Sequence, residues 1–303
     1  MSNASTGPTM RPYAEADQPA VLELVNHDRL QGQPVASVEM LNEALAGHSQ
    51  VDAGWWQSLS RLHTDVAVDP TGHVVGVVSY ATSTKDQTGH ILWLHCHEDQ
   101  ALAARLISHA CTRLGPRTIC AFDFASALSL GLEALPVRHR PATRTALEQA
   151  GFVGENLWRY MHTPLPISHL PQARNVRLRP GESAATKRLQ IRRHFRKAAE
   201  AVIGLPVDGT GVLWWISVTP SARGRGIGRL MLGTALHALT ELGANQAILY
   251  VDDDEPPGGE RDRTAANRLY DSAGFHEVDR LYAYRRKQVP TDPVSNDGSQ
   301  SGS

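Results

Sequence analysis

The stretch Leu213-Trp-Trp-Ile-Ser-Val-Thr-Pro-Ser-Ala-Arg-Gly-Arg-Gly-Ile-Gly-Arg-Leu230 carries the strongest structural signal in this chain. Its first part, Leu213 to Val218, is a run of bulky and β-branched residues, which predicts a buried strand. Pro220 cannot continue a sheet ladder and ends that strand. From Ile227 onward apolar residues recur at helical spacing, and Gly243 follows as a stop signal. The stretch therefore predicts a strand, a glycine-rich turn and a helix.

The turn between this strand and this helix has the residues of an anion-binding site. Its glycines can adopt positive φ and let the backbone come close to a ligand. The first N–H groups of the following helix have no partner within the helix, and the helix dipole adds partial positive charge there. Arginines in the turn, together with Arg229, add full charges. These features predict a diphosphate-binding turn made of Arg223, Gly224, Arg225, Gly226, Ile227 and Gly228.

The spacing in the turn separates it from two other phosphate-binding motifs. A P-loop needs Gly-x-x-x-x-Gly-Lys-Ser/Thr, and the turn has no such lysine. A dinucleotide-binding fingerprint needs a third glycine where Arg229 stands. The remaining pattern, Arg/Gln-x-x-Gly-x-Gly/Ala, is matched by Arg223, Gly226 and Gly228. It resembles the coenzyme A diphosphate loop of the GCN5-related N-acetyltransferases, the GNAT family. An arginine-rich turn without a ligand is the alternative for this motif alone.

A second motif stands where the same family has its other signature. Residues 246–251 form an apolar run that predicts the next strand, residues 264–275 carry the motif, and a strand pair is expected from 277 to 286. In the family, the pattern Ala-x-x-Leu-Tyr-x-x-x-Gly-Phe lies on the helix that flanks the thioester. The matching positions here are Ala266, Leu269, Tyr270, Gly274 and Phe275. One departure is Arg263, where the family often has asparagine.

An internal repeat indicates two related halves. The segment 146–152, Ala-Leu-Glu-Gln-Ala-Gly-Phe, parallels 269–275, Leu-Tyr-Asp-Ser-Ala-Gly-Phe. In the same order, 91–94, Ile-Leu-Trp-Leu, parallels 212–215, Val-Leu-Trp-Trp. The chain therefore resembles a tandem GNAT protein. The resemblance implies an α+β fold of two tandem GNAT-like domains, each a mixed, mostly antiparallel sheet flanked by helices.

The repeat divides the chain into three predicted parts. Residues 9–165 are expected to form a degenerate N-terminal GNAT-like domain that serves substrate binding and dimerisation. Residues 174–288 are expected to form the catalytic, acetyl-CoA-binding GNAT domain. Residues 289–303 are rich in proline, serine, glycine and aspartate, which predicts a disordered tail.

The two halves are unequal. In the first half, Leu147 stands at the position of Tyr270, and the segment His95 to Gln100, where the diphosphate turn is expected, contains no glycine. We therefore expect the first half to lack both the cofactor site and the acid. In the second half, Val176 to Arg179 is the expected first strand. The charged stretch from Glu182 to Glu200 leaves little room for the usual two helices and hairpin, so the first domain or a second subunit is expected to wall the acceptor side.

Acyl transfer from a thioester to an amine needs a held cofactor, a polarised carbonyl and an acid for the leaving thiolate. The resemblance implies that this strand splays from its neighbour, so that the backbone of Ile216 and Val218 faces the pantetheine arm and thioester, where an N–H can act as an oxyanion donor. Ser217 between them is also expected to bind the cofactor. It also implies Tyr270 as the acid, with a packed core aromatic as the alternative. Asn267 can bond the cofactor or be a plain exposed helix residue. The strand offers no carboxylate as a general base.

Composition excludes several other classes of protein. With 303 residues, 41% hydrophobic and 20% charged, the chain has the length and balance of a soluble two-domain protein. A net charge of −1 gives no basic surface for nucleic acid, and no apolar run approaches the roughly 20 residues of a membrane span. The polar N-terminus is not typical of a signal peptide, and three cysteines without paired spacing favour the cytoplasm. A metal site at His95 and His97, on one strand face, is weighed but no metal is predicted.

The substrate follows from a closer resemblance. Five tracts look like those of the bleomycin-family N-acetyltransferases, which are self-resistance enzymes of antibiotic producers. They are 32–34, 51–56, 91–96, 132–141 and 250–254. The resemblance implies acetylation of a primary amine of a bleomycin-type glycopeptide by acetyl-CoA, with coenzyme A as product. It also implies a cytoplasmic homodimer whose partner molecule is a cationic drug.

Two groups of residues are candidates for binding such a drug. The acidic residues Asp252, Asp253 and Asp254 would attract a cation, although a solvated loop is the alternative. Trp55 and Trp56, in a stretch from 50 to 56 that is expected to be a loop, could stack on a planar ligand, although core or dimer packing is equally open. Two rival functions remain. One is a mycothiol synthase-like enzyme that acts on a small amino-thiol precursor, and the other is a drug-binding protein without catalysis.

Overall fold

The computed structural model describes residues 7–49, 51, 53–174, 176–193, 195–252 and 262–287. Their helices are α1 (Gln18–His27), α2 (Val38–Leu45), α3 (Ala53–Trp56), α4 (Gln100–Leu114), α5 (Pro141–Gln149), α6 (Ile227–Glu241) and α7 (Thr264–Ser272). Their strands are β1 (Thr9–Pro12), β2 (Leu59–Val68), β3 (Val74–Ser83), β4 (Gly89–His95), β5 (Ile119–Ala121), β6 (Leu135–Pro136), β7 (Val153–Pro164), β8 (Arg179–Pro180), β9 (Thr186–Arg193), β10 (Arg196–Gly204), β11 (Thr210–Val218), β12 (Gln246–Asp252) and β13 (His276–Arg286). Within these ranges, no helix has both the length and the apolar character needed to cross a membrane. The predicted tail at 289–303 lies outside the described residues.

The 13 strands of the described residues form one sheet, in the order β1-β2-β3-β4-β5-β13-β7-β12-β11-β10-β9-β8, with β6 paired to β13. β4 and β5 are parallel, as are β11 and β12, whereas the neighbouring pairs are antiparallel. The order β4-α4-β5-α5-β7 of the first half recurs as β11-α6-β12-α7-β13 in the second. The predicted α+β class, with a mixed and mostly antiparallel sheet, is confirmed.

The two halves exchange strands in the middle of the sheet. β13 pairs with β5 and β7 of the first half, and β7 in turn pairs with β12 of the second. β13 is one bent strand with two register shifts, so the expectation of a strand pair there is wrong. At the first shift, the N–H groups of Arg138 and His139 donate to the buried carboxylate of Asp279. The segment at Arg138 and His139 thus stabilises the first register shift of β13. The predicted domain boundaries stay a prediction.

Different parts of the chain cover the two faces of the second half of the sheet. α6 packs on one face, where Met231 and Leu232 are fully buried. On the other face, Leu30 and Ala134 from first-half loops pack against Val212. The first half therefore covers part of the face that is short of helices of its own. That this wall, or one from a second subunit, lies on the acceptor side stays a prediction.

The charged stretch from 182 to 200 forms a hairpin, which was not expected from its sequence. β9 and β10 pair antiparallel, and Leu189 and Ile191 are buried in the core under α6. Their alternation with polar residues has a period of two, the signal of a half-buried strand. The first strand expected at 176–179 is shorter than predicted, because β8 contains only Arg179 and Pro180.

Two expectations in the first half are also wrong. β4 ends at His95, and His97 lies beyond it with a left-handed φ of 51°. The two histidines therefore do not share a strand face. His95 lies 3.0 Å from a carboxylate oxygen of Asp28, whereas the ring of His97 lies 4.2 Å from that of His27. Residues 53–56, expected as a loop, form the short helix α3.

Leu232→Ala tests the core between α6 and the sheet, where Leu232 is 0% exposed. We expect the free energy of unfolding to fall by about 2–5 kcal/mol, because the change removes buried apolar surface and leaves a cavity. Leu178→Ala is the matched control, since Leu178 is 41% exposed, and it should change stability by less than about 0.5 kcal/mol. Urea denaturation followed by tryptophan fluorescence measures both variants. Equal losses in the two would contradict the placement of Leu232.

Candidate active site

A cleft opens where β11 and β12 part. The two strands pair in parallel only from Thr210 to Leu213 of β11. Beyond this point both continue without pairing to each other, β11 to Val218 and β12 to Asp252. The register between β11 and β10 shifts at Trp214, and a bulge of this kind bends a strand. This is the splay that the family resemblance implied.

The backbone of β11 presents polar groups to the cleft. The N–H of Thr219 donates to the carbonyl oxygen of Ala198 on β10 at 2.9 Å. Because N–H and C=O groups alternate between the two sides of a strand, those of Ser217 also point to β10. Those of Ile216 and Val218 point to the cleft, which suits their predicted role as backbone ligands of the pantetheine arm. The side chain of Ser217 lies instead on the face of the sheet away from α6, which we call the open face.

The backbone conformation of the turn favours glycine at two positions. Gly224 and Gly226 both have φ of 71°, in the left-handed region that favours glycine. No described atom lies within 4 Å of where a Cβ would stand on either residue, so space is not the constraint. Gly228 is helical, and a Cβ there would lie 3.5 Å from Leu269 and 3.6 Å from Val218. β11, α6 and α7 therefore meet at Gly228.

The start of α6 is open to an anion. Gly226 is the N-cap of α6 and has no side chain to bond the first N–H groups, and the first turn contains no acidic residue. Arg223 and Arg225 are exposed beside it, and Ile227 is buried beneath. In the first half, by contrast, the Asp99 side chain accepts from the N–H of Leu102 at 2.9 Å and fills the start of α4. Of these two helix starts, only that of α6 combines free backbone donors with positive charge.

Tyr270 lies on α7 beside the cleft. It is 7% exposed, and its ring packs edge-on to Phe275 with the centroids 6.0 Å apart. Burial raises the pKa of Tyr270 to about 12, against a small opposing effect of Arg263. Its hydroxyl has no hydrogen-bond partner among the described residues. Tyr270 is therefore a protonated phenol at neutral pH. Its neighbour in sequence, Leu269, lies beside Gly228 at the start of α6.

Asn267 is already engaged by the protein. Its side-chain oxygen accepts from Arg159, and its side-chain nitrogen donates to the carbonyl oxygen of Arg263 at 3.3 Å. Arg159 comes from β7 and also bonds Glu277 at 2.6 Å and Asp271 at 3.2 Å. A first-half arginine thus positions α7, a contact between distant segments that no local pattern could reveal. The cofactor-binding role of Asn267 stays a prediction.

The first of the acidic residues at the end of β12, Asp252, is already in an ion pair. A carboxylate oxygen of Asp252 accepts from Nε of Arg263 at 2.9 Å. This pair neutralises one of the three negative charges expected to attract a cationic substrate. It also accounts for an arginine at a position where the family often has asparagine. Asp253 and Asp254 lie outside the described residues.

The two adjacent tryptophans have different environments. Trp56 is 4% exposed, packs against Phe124, and donates its indole N–H to the carbonyl oxygen of Ala125 at 3.0 Å. It is a core residue of the first half, so the structure does not favour the stacking role predicted for it. Trp55 is 59% exposed, with the Lys85 ammonium 5.4 Å from its ring centroid. Of the two, Trp55 alone presents a face to solvent.

Glu200 is a carboxylate near the cleft that was missed from sequence. It lies on β10 directly opposite Ser217 of β11, on the face away from α6. Its side chain accepts from Gln190 at 2.6 Å and lies 3.6 Å from the Lys197 ammonium. Burial alone would raise its pKa, but the Gln190 hydrogen bond and the Lys197 charge outweigh it, so the pKa is lowered. Glu200 is therefore ionised at neutral pH beside the strand that borders the cleft.

Trp215 is a second residue on this open face. It stands opposite Val202 of β10, two residues from Ser217 on the same side of the strand, and is 54% exposed. An exposed tryptophan next to an ionised carboxylate can hold a cationic or aromatic acceptor. The sequence of β11 contains no carboxylate that could act as a general base. Only the pairing of β10 with β11 brings the Glu200 carboxylate opposite Ser217.

The described residues contain one group with possible metal ligands, although no metal site was predicted. The ligand atoms of His90, Cys120 and Asp123 lie within 4.8 Å of one another. The His90 ring is already 3.0 Å from a carboxylate oxygen of Asp123. Burial raises the pKa of the Cys120 thiol to about 12, which keeps it protonated. The group is thus satisfied by its own hydrogen bond.

Comparisons with known proteins place this cleft in a family context. Residues 192–277 match the family model described as an acetyltransferase (GNAT) domain. Among curated relatives, a mycothiol acetyltransferase of Tsukamurella paurometabola is 34% identical over 91 residues, which are 30% of this chain and 27% of that protein. One of Thermomonospora curvata is 38% identical over 77 residues, 25% of this chain and 23% of that protein. The chain thus matches about a quarter of the length of these relatives.

Solved structures show the fold across nearly the whole chain. A tandem GNAT protein from the clavulanic acid biosynthesis pathway superposes with a TM-score of 0.60 at 15% identity, covering 94% of this chain and 100% of that one. A GCN5-related N-acetyltransferase from Sphaerobacter thermophilus superposes with a TM-score of 0.56 at 16% identity, covering 93% of this chain and 96% of that one. The chain therefore has the fold of a tandem GNAT protein, and residues 192–277 of its second half are similar to the GNAT acetyltransferase domain.

Proposed function

We propose that the protein is an acetyl-CoA-dependent N-acetyltransferase whose catalytic site is the cleft between β11 and β12. The observation that carries this proposal is the open, glycine-capped start of α6 directly beside the parting strands. The residues present fit the cofactor, because backbone N–H groups and arginines suit a diphosphate and no carboxylate fills the first turn. Bound acetyl-CoA supplies the activated acetyl group as a thioester.

The backbone of the cleft has two tasks in this reaction. The N–H groups at the start of α6, with Arg223 and Arg225, bind the diphosphate. The N–H of Val218 or of Ile216 donates to the thioester oxygen, which stabilises the negative charge that develops there when the amine attacks. Within the described residues no side chain bonds to these N–H groups, so they are ready before the substrate arrives.

Two side chains move protons. The amine nitrogen becomes strongly acidic once its bond to the carbonyl carbon has formed, so the Glu200 carboxylate can accept that proton despite its low pKa. Tyr270 donates its proton to the sulfur as the carbon–sulfur bond breaks, and the product is a neutral thiol. Because Tyr270 is protonated and Glu200 is ionised at neutral pH, both begin in the required state.

Glu200→Gln tests the assigned base. We expect kcat to fall on the order of 10²-fold, because the amide keeps the shape of the side chain but cannot accept the proton. The KM for acetyl-CoA should hardly change, since Glu200 lies on the acceptor face. Glu182→Gln is the matched control, a glutamate with a 92% exposed side chain on the loop before β9. Steady-state kinetics measure both, and an unchanged kcat in Glu200→Gln would remove Glu200 from the mechanism.

For the acceptor, the proposal is a primary amine of a bleomycin-type glycopeptide, which would give self-resistance. The five tracts of sequence resemblance support it. So does the open face with Trp215 and the ionised Glu200, which suits a large cationic acceptor better than a closed pocket does. Acetylation would remove the positive charge and the metal-binding capacity of that amine.

The relatives favour a second candidate acceptor. Both reported curated relatives are named mycothiol acetyltransferase, and the acetyltransferase domain of this chain lies in its second half. A small amino-thiol precursor of mycothiol is therefore the alternative substrate. The chemistry at the thioester would be the same, and only the acceptor would differ.

One experiment separates the candidates. The protein is incubated with acetyl-CoA and metal-free bleomycin, or with the amino-thiol precursor, and the products are weighed by mass spectrometry. One added acetyl on bleomycin supports the glycopeptide acceptor, and product only with the amino-thiol supports the alternative. Bleomycin that is retained by the protein in equilibrium dialysis but never acetylated would support a drug-binding protein and overturn the enzymatic proposal.

We also propose that the protein acts as a homodimer in the cytoplasm. Residues 9–165 are the part expected to serve dimerisation, and exposed apolar side chains there support this, since Trp55 is 59% exposed and Val153 is 74% exposed. Apolar surface is typical of protein–protein contacts. Light scattering coupled to gel filtration should give twice the mass of the chain. A monomer mass, or a dimer unaffected by Val153→Ser, would contradict this surface.

A further inference from the structure

A second cleft lies in the first half, at the position that repeats the catalytic one. β4 and β5 pair only from Gly89 to Ile91 of β4, and β4 continues unpaired with β5 to His95. A cavity of ≈ 80 Å³, which opens to solvent, begins where the strands part. It lies between the end of α1, the end of β4 and the segment 122–136.

The cavity has lost the features that bind a diphosphate. The Asp99 carboxylate fills the start of α4, the counterpart of α6. The Glu98 carboxylate accepts from the N–H groups of Ala142 and Thr143, at 2.8 and 3.1 Å, and so fills the start of α5. Side chains of the protein itself therefore occupy N–H groups at both helix starts near the cavity. These two helix starts do not offer a diphosphate the free N–H groups that the start of α6 does.

The walls of the cavity are mostly apolar and include three aromatic rings. Trp93, Phe122 and Phe124 line it, and each is at most 7% exposed. Leu128 and Leu132 close the side formed by the loop after β5. Aromatic and aliphatic walls of this kind favour a flat, uncharged molecule, because its ring can stack or pack edge-on against them.

The lining contains a donor without a partner among the described residues, the indole N–H of Trp93, and an acceptor on His95. Nδ1 of His95 lies 3.0 Å from a carboxylate oxygen of Asp28, which also lies 3.3 Å from Arg140. Because a carboxylate only accepts, Nδ1 carries the hydrogen. Burial lowers the pKa of His95 despite the nearby Asp28, so the ring is neutral and its Nε2 is an acceptor. Within the described part of the chain, Nε2 has no partner.

We propose that this cavity binds an uncharged aromatic molecule with a single N–H or O–H donor. The ring lies among Trp93, Phe122 and Phe124, and the donor bonds to Nε2 of His95. Asp28 is a positioning residue, since its bond to Nδ1 fixes the tautomer and the orientation of the imidazole. The first half thus keeps the parted strands of its repeat and uses them for a different class of ligand. The site is independent of acetyl transfer in the second half.

Indole and benzofuran are the probes, because they have the same shape and differ by the N–H donor. Their affinities for the full-length protein, saturated with coenzyme A, are measured by saturation-transfer NMR titration. We expect one indole per chain, bound about three- to tenfold more tightly than benzofuran, as one neutral hydrogen bond allows. Saturation with coenzyme A keeps the catalytic cleft out of the measurement, so the result does not depend on the proposed function.

Two variants and one control locate the site. His95→Phe should bind indole and benzofuran equally, whereas His109→Phe should keep the difference, since His109 pairs with Asp65 outside the cavity. Leu132→Trp fills the cavity from its loop and should reduce the binding of both probes at least tenfold. It also tests the proposal if His95→Phe fails to fold. No indole binding, equal binding of the two probes to the native protein, or full binding by Leu132→Trp would each overturn the proposal.

Discussion

Replacing Tyr270 with phenylalanine is expected to lower kcat for acetyl transfer by about 10²-fold or more, with little change in the KM for acetyl-CoA. The phenol is on α7, next in sequence to Leu269, which lies beside Gly228 of the turn, and it is 7% exposed without a hydrogen-bond partner among the described residues. Without it, the thiolate would leave unprotonated. The packing of the ring against Phe275 would remain, since phenylalanine keeps the aromatic face.

A second buried tyrosine is the control for that experiment. Tyr284 on β13 is 2% exposed, and burial raises its pKa to about 12, as for Tyr270. It packs in the first-half core, away from the cleft, so Tyr284→Phe should leave kcat unchanged. Steady-state kinetics with a thiol-reactive dye measure coenzyme A release by both variants. Similar kcat losses in the two would show that Tyr270→Phe acts through packing, and no loss would remove Tyr270 from the acid role.

The raised pKa of Tyr270 also has a consequence for the pH profile. An acid works only while it is protonated, and an unperturbed tyrosine would lose its proton near pH 10. Because burial raises the pKa of Tyr270 to about 12, the loss of this proton is displaced to higher pH. We expect kcat to show no fall near pH ~10 in the native protein. A fall there that is absent from Tyr270→Phe would contradict the raised pKa.

The second large effect is expected from Gly226→Ala. Gly226 has φ of 71° at the N-cap of α6, a conformation that costs an alanine about 1–2 kcal/mol. Relief of that strain would turn the first N–H groups of α6 away from the diphosphate. Each lost bond to a charged group weakens binding by about 1.5–3 kcal/mol, so the KM for acetyl-CoA should rise about 10- to 100-fold. At saturating cofactor, kcat should change far less.

Gly243→Ala is the matched control, because it separates loss of stability from loss of binding. Gly243 follows the other end of α6 and has φ of 94°, and no described atom lies within 4 Å of where its Cβ would stand. The variant should therefore lower the melting temperature about as much as Gly226→Ala does, while the KM stays unchanged. Calorimetric titration with coenzyme A checks the affinity directly. An equal KM for the two variants would contradict the diphosphate-binding role of the turn.

Local signals in the sequence predicted much of the second half. Pro220 fixes its own φ and lacks an N–H, and Gly224 and Gly226 permit left-handed angles that other residues avoid, so the end of β11 and the start of α6 could be predicted from them. The 3.6-residue period from Ile227 predicts α6, and Gly243 ends it. The hairpin of β9 and β10 was not predicted. Leu189 and Ile191 do alternate with polar residues, as a half-buried strand requires, but two apolar positions among many charged residues are a weak signal.

The surroundings of the candidate site could not be predicted in the same way. Asn267 is held by Arg159, which is 108 residues away in the chain, and Asp252 is held by Arg263 across the end of the cleft. Glu200 reaches the cleft only through the pairing of β10 with β11. In each case the partner is chosen by strand register and by packing between distant segments. A single sequence contains no local signal for such pairs.

The tandem α+β architecture, the glycine-rich turn before α6 and the position of Tyr270 on α7 follow from the amino-acid sequence, because dihedral preferences and hydrophobic periods act over a few residues. Three other features arise only from long-range packing: the exchange of β7 and β13 between the halves, the placement of Glu200 opposite Ser217, and the second cavity around His95. They depend on the register of strands far apart in the chain. Register is set by burying apolar faces together and by satisfying the backbone hydrogen bonds of one continuous sheet.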